Sequence, residues 1–248
     1  MKVSIITVCF NSEKTIRDTI ESVINQNYSE IEYIIVDGKS KDKTLSTIKS
    51  YHKSINKVIS EKDHGMYDAL NKGIRAASGD LIGILNSDDR YSDENVISSI
   101  VRVFTNNQIN IAWGDVAFID KKNKVKRLYS GGDISPSSFN NGIMPPHPSV
   151  FIKKNCYEKF GYFNTKYRIA ADYDLLLRFL KLNNLRYFYM PKVLVKMKLG
   201  GVSNRSFSNV ALLNKEIYEI HKSNGVPISI FNLMKKIPRR IMELVLKP

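Results

Sequence analysis

Short apolar runs alternate with helical patterns through the first 90 residues, and this alternation restricts the fold more than any other feature of the chain. Runs rich in β-branched residues predict strands, and apolar residues spaced three and four positions apart predict helices. The predicted strands cover residues 3–10, 31–37, 58–60 and 80–85, and the predicted helices cover residues 12–25, 42–50 and 65–77. Because strands and helices that alternate across short connections build a parallel sheet with helices on both faces, we predict an α/β fold. Its first half, residues 1–92, is then of the Rossmann-like, nucleotide-binding type.

The pattern changes after residue 93, but no linker separates a second domain. A helix is predicted over residues 94–104, a strand over 111–118, a lysine-rich hairpin over 120–127, a strand over 149–152 and a helix over 170–182. This succession predicts that the sheet continues with mixed strands. We therefore expect one domain, residues 1–225, whose second half is residues 93–225, followed by a tail, residues 226–248.

Two adjacent aspartates, Asp88 and Asp89, follow the fourth predicted strand directly. In an open α/β sheet, ligands bind beyond the carboxyl ends of the strands, where Asp37 and Asp63 are expected as well. Paired carboxylates at this edge suit a hard divalent cation, Mn²⁺ or Mg²⁺, that carries a phosphorylated ligand. An acid after the second strand suits a hydrogen bond from a ribose hydroxyl or a base N–H. Asn-Ser-Asp-Asp and Asp-Gly are also good turn sequences, so a purely structural role stays open at both places.

The sequence argues against several other common sites. It contains neither the G-x-G-x-x-G fingerprint of dinucleotide sites nor the G-x-x-x-x-G-K-[ST] loop of P-loop nucleotide hydrolases. Cys9 and Cys156 lie far apart and outside any C-x-x-C motif, which argues against a disulfide framework and against a zinc site. Cys9 lies inside the first apolar run and is expected to be a small core residue.

The positive charge is concentrated in the second half of the chain. The net charge is +14; residues 1–110 hold 14 basic and 15 acidic side chains, and residues 111–248 hold 24 and 9. A half this basic suits nucleic acid, an anionic membrane surface or a phosphorylated substrate. Because the chain has no zinc finger, helix-turn-helix or aromatic RNA-binding strand motif, we expect no nucleic-acid partner.

The residue pattern of the tail, residues 226–248, bears on the expected location of the protein in the cell. From residue 230 onward, four apolar residues share one helical face and four basic residues gather opposite them, namely Met234, Ile237, Ile241 and Val245 against Lys235, Lys236, Arg239 and Arg240. Such a helix either lies in an anionic interface or packs on the domain by its apolar face, and both possibilities stay open. No signal peptide and no run of roughly 20 apolar residues is present. We expect a cytoplasmic protein, with a peripheral position on the inner face of the membrane as an alternative.

Several segments taken together resemble the family 2 glycosyltransferases. They are residues 3–11, 36–44, 60–73 and 79–89, and residues 170–175 are similar to an acidic segment on the acceptor side of the family. The likeness covers roughly residues 3–205, and the ordered set is far more specific than any one segment. The resemblance implies a GT-A fold and inverting transfer of a sugar from a nucleotide sugar to a hydroxyl group.

The resemblance also implies roles for individual residues. Asp172 falls at the position of the catalytic base, although Ala171 replaces the glutamate that usually precedes it. Asp174 is two positions further on and so lies on another face of the predicted helix, which means that at most one of the two points into the cleft. Asp89 matches the direct metal ligand, and Asp88 lies nearer the ribose and also serves the metal. The other donor-side positions are Thr7, Cys9, Asn11, Asp37, Asp63, Asn71, Lys72, His147 and Arg205.

From these features we predict a metal-dependent inverting glycosyltransferase that uses a nucleotide sugar, with UDP as the expected nucleotide. The resemblance implies surface polysaccharide assembly as the setting, with a saccharide or a lipid-linked hydroxyl as the acceptor. The basic second half and tail fit an acceptor that is held at a membrane. Two alternatives remain. One is a nucleotidyltransferase that makes the activated sugar, against which the missing Gly-rich first loop argues. The other is a basic nucleic-acid- or carbohydrate-binding module without catalysis.

Overall fold

The computed structural model of the protein describes residues 1–198 and 207–228, which form one mixed sheet with helices around it. The strands are β1 (Val3–Cys9), β2 (Ile31–Asp37), β3 (Lys57–Ser60), β4 (Leu81–Ile84), β5 (Asp89–Tyr91), β6 (Ile111–Ile119), β7 (Val125–Tyr129), β8 (Phe151–Lys153) and β9 (Tyr187–Lys198). Their order across the sheet is β3-β2-β1-β4-β8-β6-β9-β5, and β7 pairs with β6. This arrangement confirms the predicted α/β fold class.

Helices cover both faces of the sheet. They are α1 (Ile16–Ile24), α2 (Thr44–Ser50), α3 (Met66–Ala76), α4 (Val96–Asn106), α5 (Lys154–Phe160), α6 (Ala171–Leu176) and α7 (Phe207–Ser223). Ile6 and Val8 of β1 face a core that also contains side chains of α3 and α6. Ile5 and Cys9 face the opposite core, which contains side chains of α1 and α4. A strand buried on both faces needs apolar residues at successive positions, and this is why β1 reads as an apolar run.

The strands of the first half end together, as predicted. β1 is parallel to β2 and to β4, and β2 is parallel to β3. In this register Cys9, Asp37 and Ser60 are neighbours at the ends of β1, β2 and β3. We call the side of the sheet on which these parallel strands end the carboxyl edge. Ligands of open α/β sheets bind at such an edge.

The second half extends the sheet with mixed strands, which the sequence also predicted. β8 runs antiparallel to β4 and to β6, so β6 points in the same direction as β4. β9 is parallel to β6, and β5 is antiparallel to β9. The chain therefore enters β5 at Asp89 and leaves β6 at Ile119 on the carboxyl edge. The sequence patterns did not indicate β5, β9 or α7.

Two helices depart from their predicted bounds. α1 begins at Ile16 rather than near Ser12, because the Ser12 carbonyl accepts N–H groups in a turn that precedes the helix. The helix predicted over residues 170–182 is α-helical only as far as Leu176 and continues as a π-helix over Leu177–Leu182. At its end, Asn183 bonds back to the carbonyl of Arg178 through both its backbone and its side chain.

The strand predicted over residues 149–152 starts later. Ser149 lies in a short 3₁₀ turn, where its hydroxyl donates to the Gly114 carbonyl, and β8 begins at Phe151.

Among the described residues, no helix is both long and apolar enough to cross a bilayer. The amphipathic pattern predicted for the tail falls on residues 229–248, outside the described residues.

Candidate functional site

Asp37 ends β2 at the carboxyl edge and is fully buried there. Its carboxylate accepts hydrogen bonds from the Ser60 hydroxyl at 2.7 Å and from the Ser40 N–H at 3.1 Å, and the Cys9 thiol lies 3.7 Å away. Asp37 therefore joins the ends of three strands. Cys9 is buried, which confirms its predicted place in the core, and burial and the nearby charge of Asp37 raise the pKa of its thiol.

The loop between β3 and α3 carries Asp63 and is fixed by one lysine of α3. Lys72 Nζ lies 2.6 Å from a carboxylate oxygen of Asp63, 2.9 Å from one of Glu61 and 3.3 Å from one of Asp68. The hydrogen bonds to Asp63 and Glu61 raise the pKa of Lys72. Two acids of the loop and one of α3 thus surround the positive charge of Lys72, and Lys72 holds Asp63 in place.

Phe10 is an exposed aromatic residue that the sequence patterns did not single out. It follows β1 at the carboxyl edge and is 61% exposed. A β-carbon at Gly38 would lie 3.4 Å from the Phe10 ring and 3.1 Å from Asp63 Oδ2, so the glycine allows these groups to lie side by side. An exposed ring in this position can stack on a planar base. The sequence signal was a large apolar residue placed directly after a buried strand and before Asn11, whose φ is +49°.

The donor-side residues on either side of Phe10 differ in position. Thr7 is fully buried, and its hydroxyl shares a 3.1 Å hydrogen bond with the Tyr33 hydroxyl. The expected donor contact of Thr7 therefore needs correction, because its side chain faces the core. Asn11 is exposed, and its side-chain oxygen accepts the Lys41 N–H at 2.9 Å, which ties the loop after β1 to the loop after β2.

Asn71 also lies in the interior rather than at the site. Its Nδ2 donates to the Phe163 carbonyl at 2.9 Å, and its Oδ1 accepts the Phe163 N–H at 3.0 Å. Both polar ends of this buried side chain are thereby satisfied within the protein. Asn71 joins α3 to the segment before α6, which corrects its expected role in donor binding.

Asp88 and Asp89 differ sharply in exposure. Asp88 is exposed, whereas Asp89 is 1% exposed because β5 pairs with β9 from this residue onward. Asn86 Nδ2 donates to Asp89 Oδ2 at 3.2 Å, and Asp89 Oδ1 has no hydrogen-bond partner among the described residues. Burial and the neighbouring charge of Asp88 raise the pKa of Asp89. The sequence predicted Asp89 as the direct metal ligand, and the burial of its side chain does not fit that role. Asp88 is the carboxylate that faces solvent.

The residues present fit a cation that is shared with a phosphorylated ligand. Among residues 1–198 and 207–228, no three His, Cys, Asp or Glu side chains converge to form a complete metal site. Mg²⁺ at nucleotide sites usually takes one or two carboxylates and completes its shell with phosphate oxygens and water. Asp88 supplies an exposed carboxylate of this kind at the carboxyl edge.

Asp172 lies in the first turn of α6 and is partly buried. The Tyr173 N–H donates to its Oδ1 at 2.8 Å, and the Tyr67 hydroxyl lies 3.3 Å from the same oxygen. Burial raises the pKa of Asp172 and outweighs the opposing effect of His147. His147 is close enough to act on this charge, and burial lowers its own pKa. A partly exposed carboxylate with a raised pKa has the properties of a general base.

Asp174 faces away from Asp172, as their spacing predicted. It is buried, and its Oδ2 accepts from Arg178 Nε at 2.9 Å. The same guanidinium donates to the carbonyls of Phe160 at 2.6 Å and of Tyr162 at 2.7 Å. Asp174 is thereby committed to an internal ion pair, whereas Asp172 forms no ion pair with a described residue.

The turn that leads into α6 is held by a carboxylate from α7. Glu216 is buried and accepts three consecutive backbone N–H groups, those of Arg168 at 2.8 Å, Ile169 at 3.0 Å and Ala170 at 2.9 Å. On the other side, the Tyr67 hydroxyl donates to the Ile169 carbonyl at 2.6 Å. Glu216 and Tyr67 together fix the backbone just before Asp172. Arg205, the last expected donor-side residue, lies outside the described residues.

The chain is similar to known proteins over most of its length. The model of Glycosyl transferase family 2 matches residues 4–169. An uncharacterized glycosyltransferase of Mycobacterium tuberculosis is 32% identical over 179 residues, which cover 71% of this chain and 68% of that protein. The crystal structure of S. aureus TarS 1-349 in complex with UDP-GlcNAc has a TM-score of 0.68 at 18% identity, over 89% of this chain and 64% of that one.

A second solved structure supports the same fold. The mannosyltransferase PcManGT from Pyrobaculum calidifontis, in complex with GDP-Man and Mn2+, has a TM-score of 0.64 at 17% identity, over 90% of this chain and 64% of that one. The chain therefore spans just under two thirds of either solved structure. These likenesses identify the mixed α/β sheet as the GT-A fold. The matched family model and the 32% identity to a relative place the chain in family 2 of the glycosyltransferases.

Proposed function

We propose that this protein transfers a sugar from a nucleotide sugar to a hydroxyl group, with inversion at the anomeric carbon. The contact between Tyr67 and Asp172 carries most of this proposal. Tyr67 lies on α3, directly after the loop that carries Asp63, so the contact joins the carboxyl edge to the helix of the proposed base. A donor that lies along this edge would have Asp172 beside its reacting end.

UDP is the proposed nucleotide of the donor. Phe10 offers its exposed ring to the base, and Asp63 offers a carboxylate oxygen beside that ring. Asp37 and Asn11 shape the pocket through their hydrogen bonds to the surrounding loops, and His147 and Arg205 remain proposed donor-side residues. The complex of TarS with UDP-GlcNAc supports UDP, and the complex of PcManGT with GDP-Man makes GDP the nucleotide to compare.

Asp88 is the proposed protein ligand of Mn²⁺ or Mg²⁺, with Asp89 buried behind it. Bound there, the cation would neutralise charge on the diphosphate as the bond between sugar and phosphate breaks. The Mn2+ in the PcManGT complex supports this cofactor. The proposal reverses the roles expected from the sequence, because Asp88 is exposed and Asp89 is not.

Asp172 is proposed to take the proton of the acceptor hydroxyl as that oxygen attacks the anomeric carbon. Attack from the face opposite the diphosphate inverts the configuration at this carbon. The Tyr173 N–H holds Asp172 Oδ1, and the Tyr67 hydroxyl lies 3.3 Å from the same oxygen, so Oδ2 is the oxygen proposed to receive the proton. The proposed acceptor is a lipid-linked saccharide in surface polysaccharide assembly, which the 24 basic and 9 acidic residues of positions 111–248 support.

The rate of transfer is expected to fall on acidification at a higher pH than an ordinary aspartate would give. Because burial raises the pKa of Asp172, the carboxyl group takes up its proton above the usual value of about 4, and the protonated form cannot act as a base. The pH dependence of kcat/KM checks this. An acidic limb at or below the ordinary value would contradict Asp172 as the base.

Nucleotide binding is the first test of the proposal. UDP with Mn²⁺ should raise the melting temperature, because a ligand at 100 times its Kd stabilises the native state by about 2.7 kcal/mol. The screen compares UDP, UDP-GlcNAc, GDP and GDP-mannose, each with and without Mn²⁺. Phe10→Ala should remove most of the shift, whereas Tyr218→Ala, which removes an exposed ring from α7, should leave it unchanged. A protein that responds to no nucleotide would contradict the proposal.

A further inference from the structure

The segment between β6 and β7 forms a strongly positive surface that the proposed reaction does not use. We call residues 120–127 the basic hairpin. Five of its eight residues are basic, namely Lys121, Lys122, Lys124, Lys126 and Arg127, and one is acidic, Asp120. Asp120 pairs with Lys126 at 3.2 Å. The hairpin thus contains no acid for its three remaining lysines, all of which are exposed.

The turn of the basic hairpin is held in one shape by its own hydrogen bonds. Asp120 Oδ1 accepts the N–H groups of Lys122 at 2.8 Å and of Lys124 at 3.0 Å. The Asp120 N–H donates to the Lys124 carbonyl at 3.0 Å, and Asn123 has a φ of +61°. A fixed turn keeps the backbone of the three lysines in place, so binding through them costs no loop-ordering entropy in the turn.

The basic hairpin lies at the carboxyl edge, beside the proposed donor site. β6 points in the same direction as β4, so the turn that follows β6 is on the edge where β4 leads to Asp88. A direct contact supports this placement, because Arg90 Nη2 donates to Asn123 Oδ1 at 2.8 Å. Arg90 is two residues from Asp88. Any surface that the hairpin contacts would therefore also lie near the mouth of the site.

The composition of the hairpin fits an extended anionic surface better than a single small ligand or a nucleic acid. Its charges are mostly lysines, which act as flexible point charges, rather than arginines that grip one phosphate with a fixed fork. Val125 is 40% exposed among these lysines, which suits a layer where polar headgroups meet acyl chains. The hairpin has no aromatic residue on which a nucleic-acid base could stack.

We propose that the basic hairpin, residues 120–127, is a docking surface for an anionic phospholipid bilayer and turns the carboxyl edge toward it. Each lysine near an anionic membrane surface strengthens binding several-fold, so Lys121, Lys122 and Lys124 together account for about 100-fold. The attraction is electrostatic and weakens as salt rises. The hairpin makes this contact whether or not a nucleotide sugar is bound.

Vesicle co-sedimentation of the full chain tests this surface. The vesicles contain equal parts phosphatidylglycerol and phosphatidylcholine, with pure phosphatidylcholine for comparison, at low salt. Lys121→Gln/Lys122→Gln/Lys124→Gln should weaken binding to the anionic vesicles by about 100-fold. The matched control is Lys49→Gln/Lys53→Gln/Lys57→Gln, which removes the same charge from exposed lysines between the end of α2 and the start of β3, at the opposite edge. It should change binding by less than about threefold.

Three results would overturn the proposal. The first is equal weakening by the two triple variants, which would mean that only net charge matters. The second is full vesicle binding by the hairpin variant, which would assign binding to another part of the chain. The third is loss of binding to a single-stranded oligonucleotide by the hairpin variant while vesicle binding stays intact. Thermal melting of both variants confirms that each is folded.

Discussion

Replacing Asp172 with asparagine is expected to abolish sugar transfer while nucleotide binding stays unchanged. The amide has nearly the shape of the carboxylate, and it can still accept the Tyr173 N–H, but it cannot take a proton from the acceptor. Loss of a positioned general base lowers rates by about 10²–10⁴-fold. The prediction is a kcat reduced by this factor, measured as release of the nucleoside diphosphate, and a thermal shift with UDP and Mn²⁺ equal to that of the unmodified protein.

Asp174→Asn is the matched control, because it makes the same chemical change two residues away on α6. It leaves the partly buried Arg178 guanidinium without the buried carboxylate that it pairs with, and breaking such a pair costs up to about 3–5 kcal/mol. Asp174→Asn should therefore lower the melting temperature and largely retain the turnover per folded molecule, which is the reverse of the result expected for Asp172→Asn. Retained turnover in Asp172→Asn would place the base elsewhere in the cleft.

Glu216→Ala is expected to destabilise the protein strongly, because Glu216 is buried on α7 and holds the turn before α6. It removes the acceptor of three backbone N–H groups, and each buried donor left unpaired costs about 1–3 kcal/mol. Three such donors cost about 3 kcal/mol even at the low end, which corresponds to a fall in melting temperature of roughly 6–12 °C for a chain of this size. Transfer should also decline, because the released turn leads directly to Asp172.

The control for Glu216 lies one helical turn away. Glu219 pairs loosely with Lys215, at 3.9 Å, on the surface of α7, and such exposed pairs contribute about 0–1 kcal/mol. Glu219→Ala should therefore melt within about 2–4 °C of the unmodified protein. Thermal melting followed by circular dichroism makes the comparison. If both variants were equally stable, Glu216 would not be what holds the turn before α6.

The sheet of the first half could be predicted because its physics is local. A strand buried on both faces needs an apolar run, and short connections between strands and helices force parallel pairing, so Asp37, Asp63 and Asp88 had to follow strands at one edge. β9 lacks this signal, since most of its residues are only partly buried and polar and apolar residues are interspersed. Its place between β6 and β5 depends on partners far away in sequence.

The sequence suggested which residues form the candidate site, but it could not predict the direction of each side chain. Thr7 and Asn71 were predicted as donor-side residues, yet Tyr33 and Phe163 provide interior hydrogen bonds that no local pattern reveals. The pairing of β5 with β9 decides that Asp89 is buried. The role of Glu216 could not be predicted for the same reason, because its three hydrogen bonds join residues that are more than 40 positions apart in sequence.

The anomeric configuration of the first product tests the proposed inverting transfer most directly. Proton NMR would follow the sugar released to water from UDP-GlcNAc, or from whichever nucleotide sugar the melting screen selects, before the free sugar equilibrates. From an α-linked donor, a single displacement directed by Asp172 predicts the β-anomer as the first product, formed by the unmodified protein and not by Asp172→Asn. The α-anomer as first product would contradict inversion.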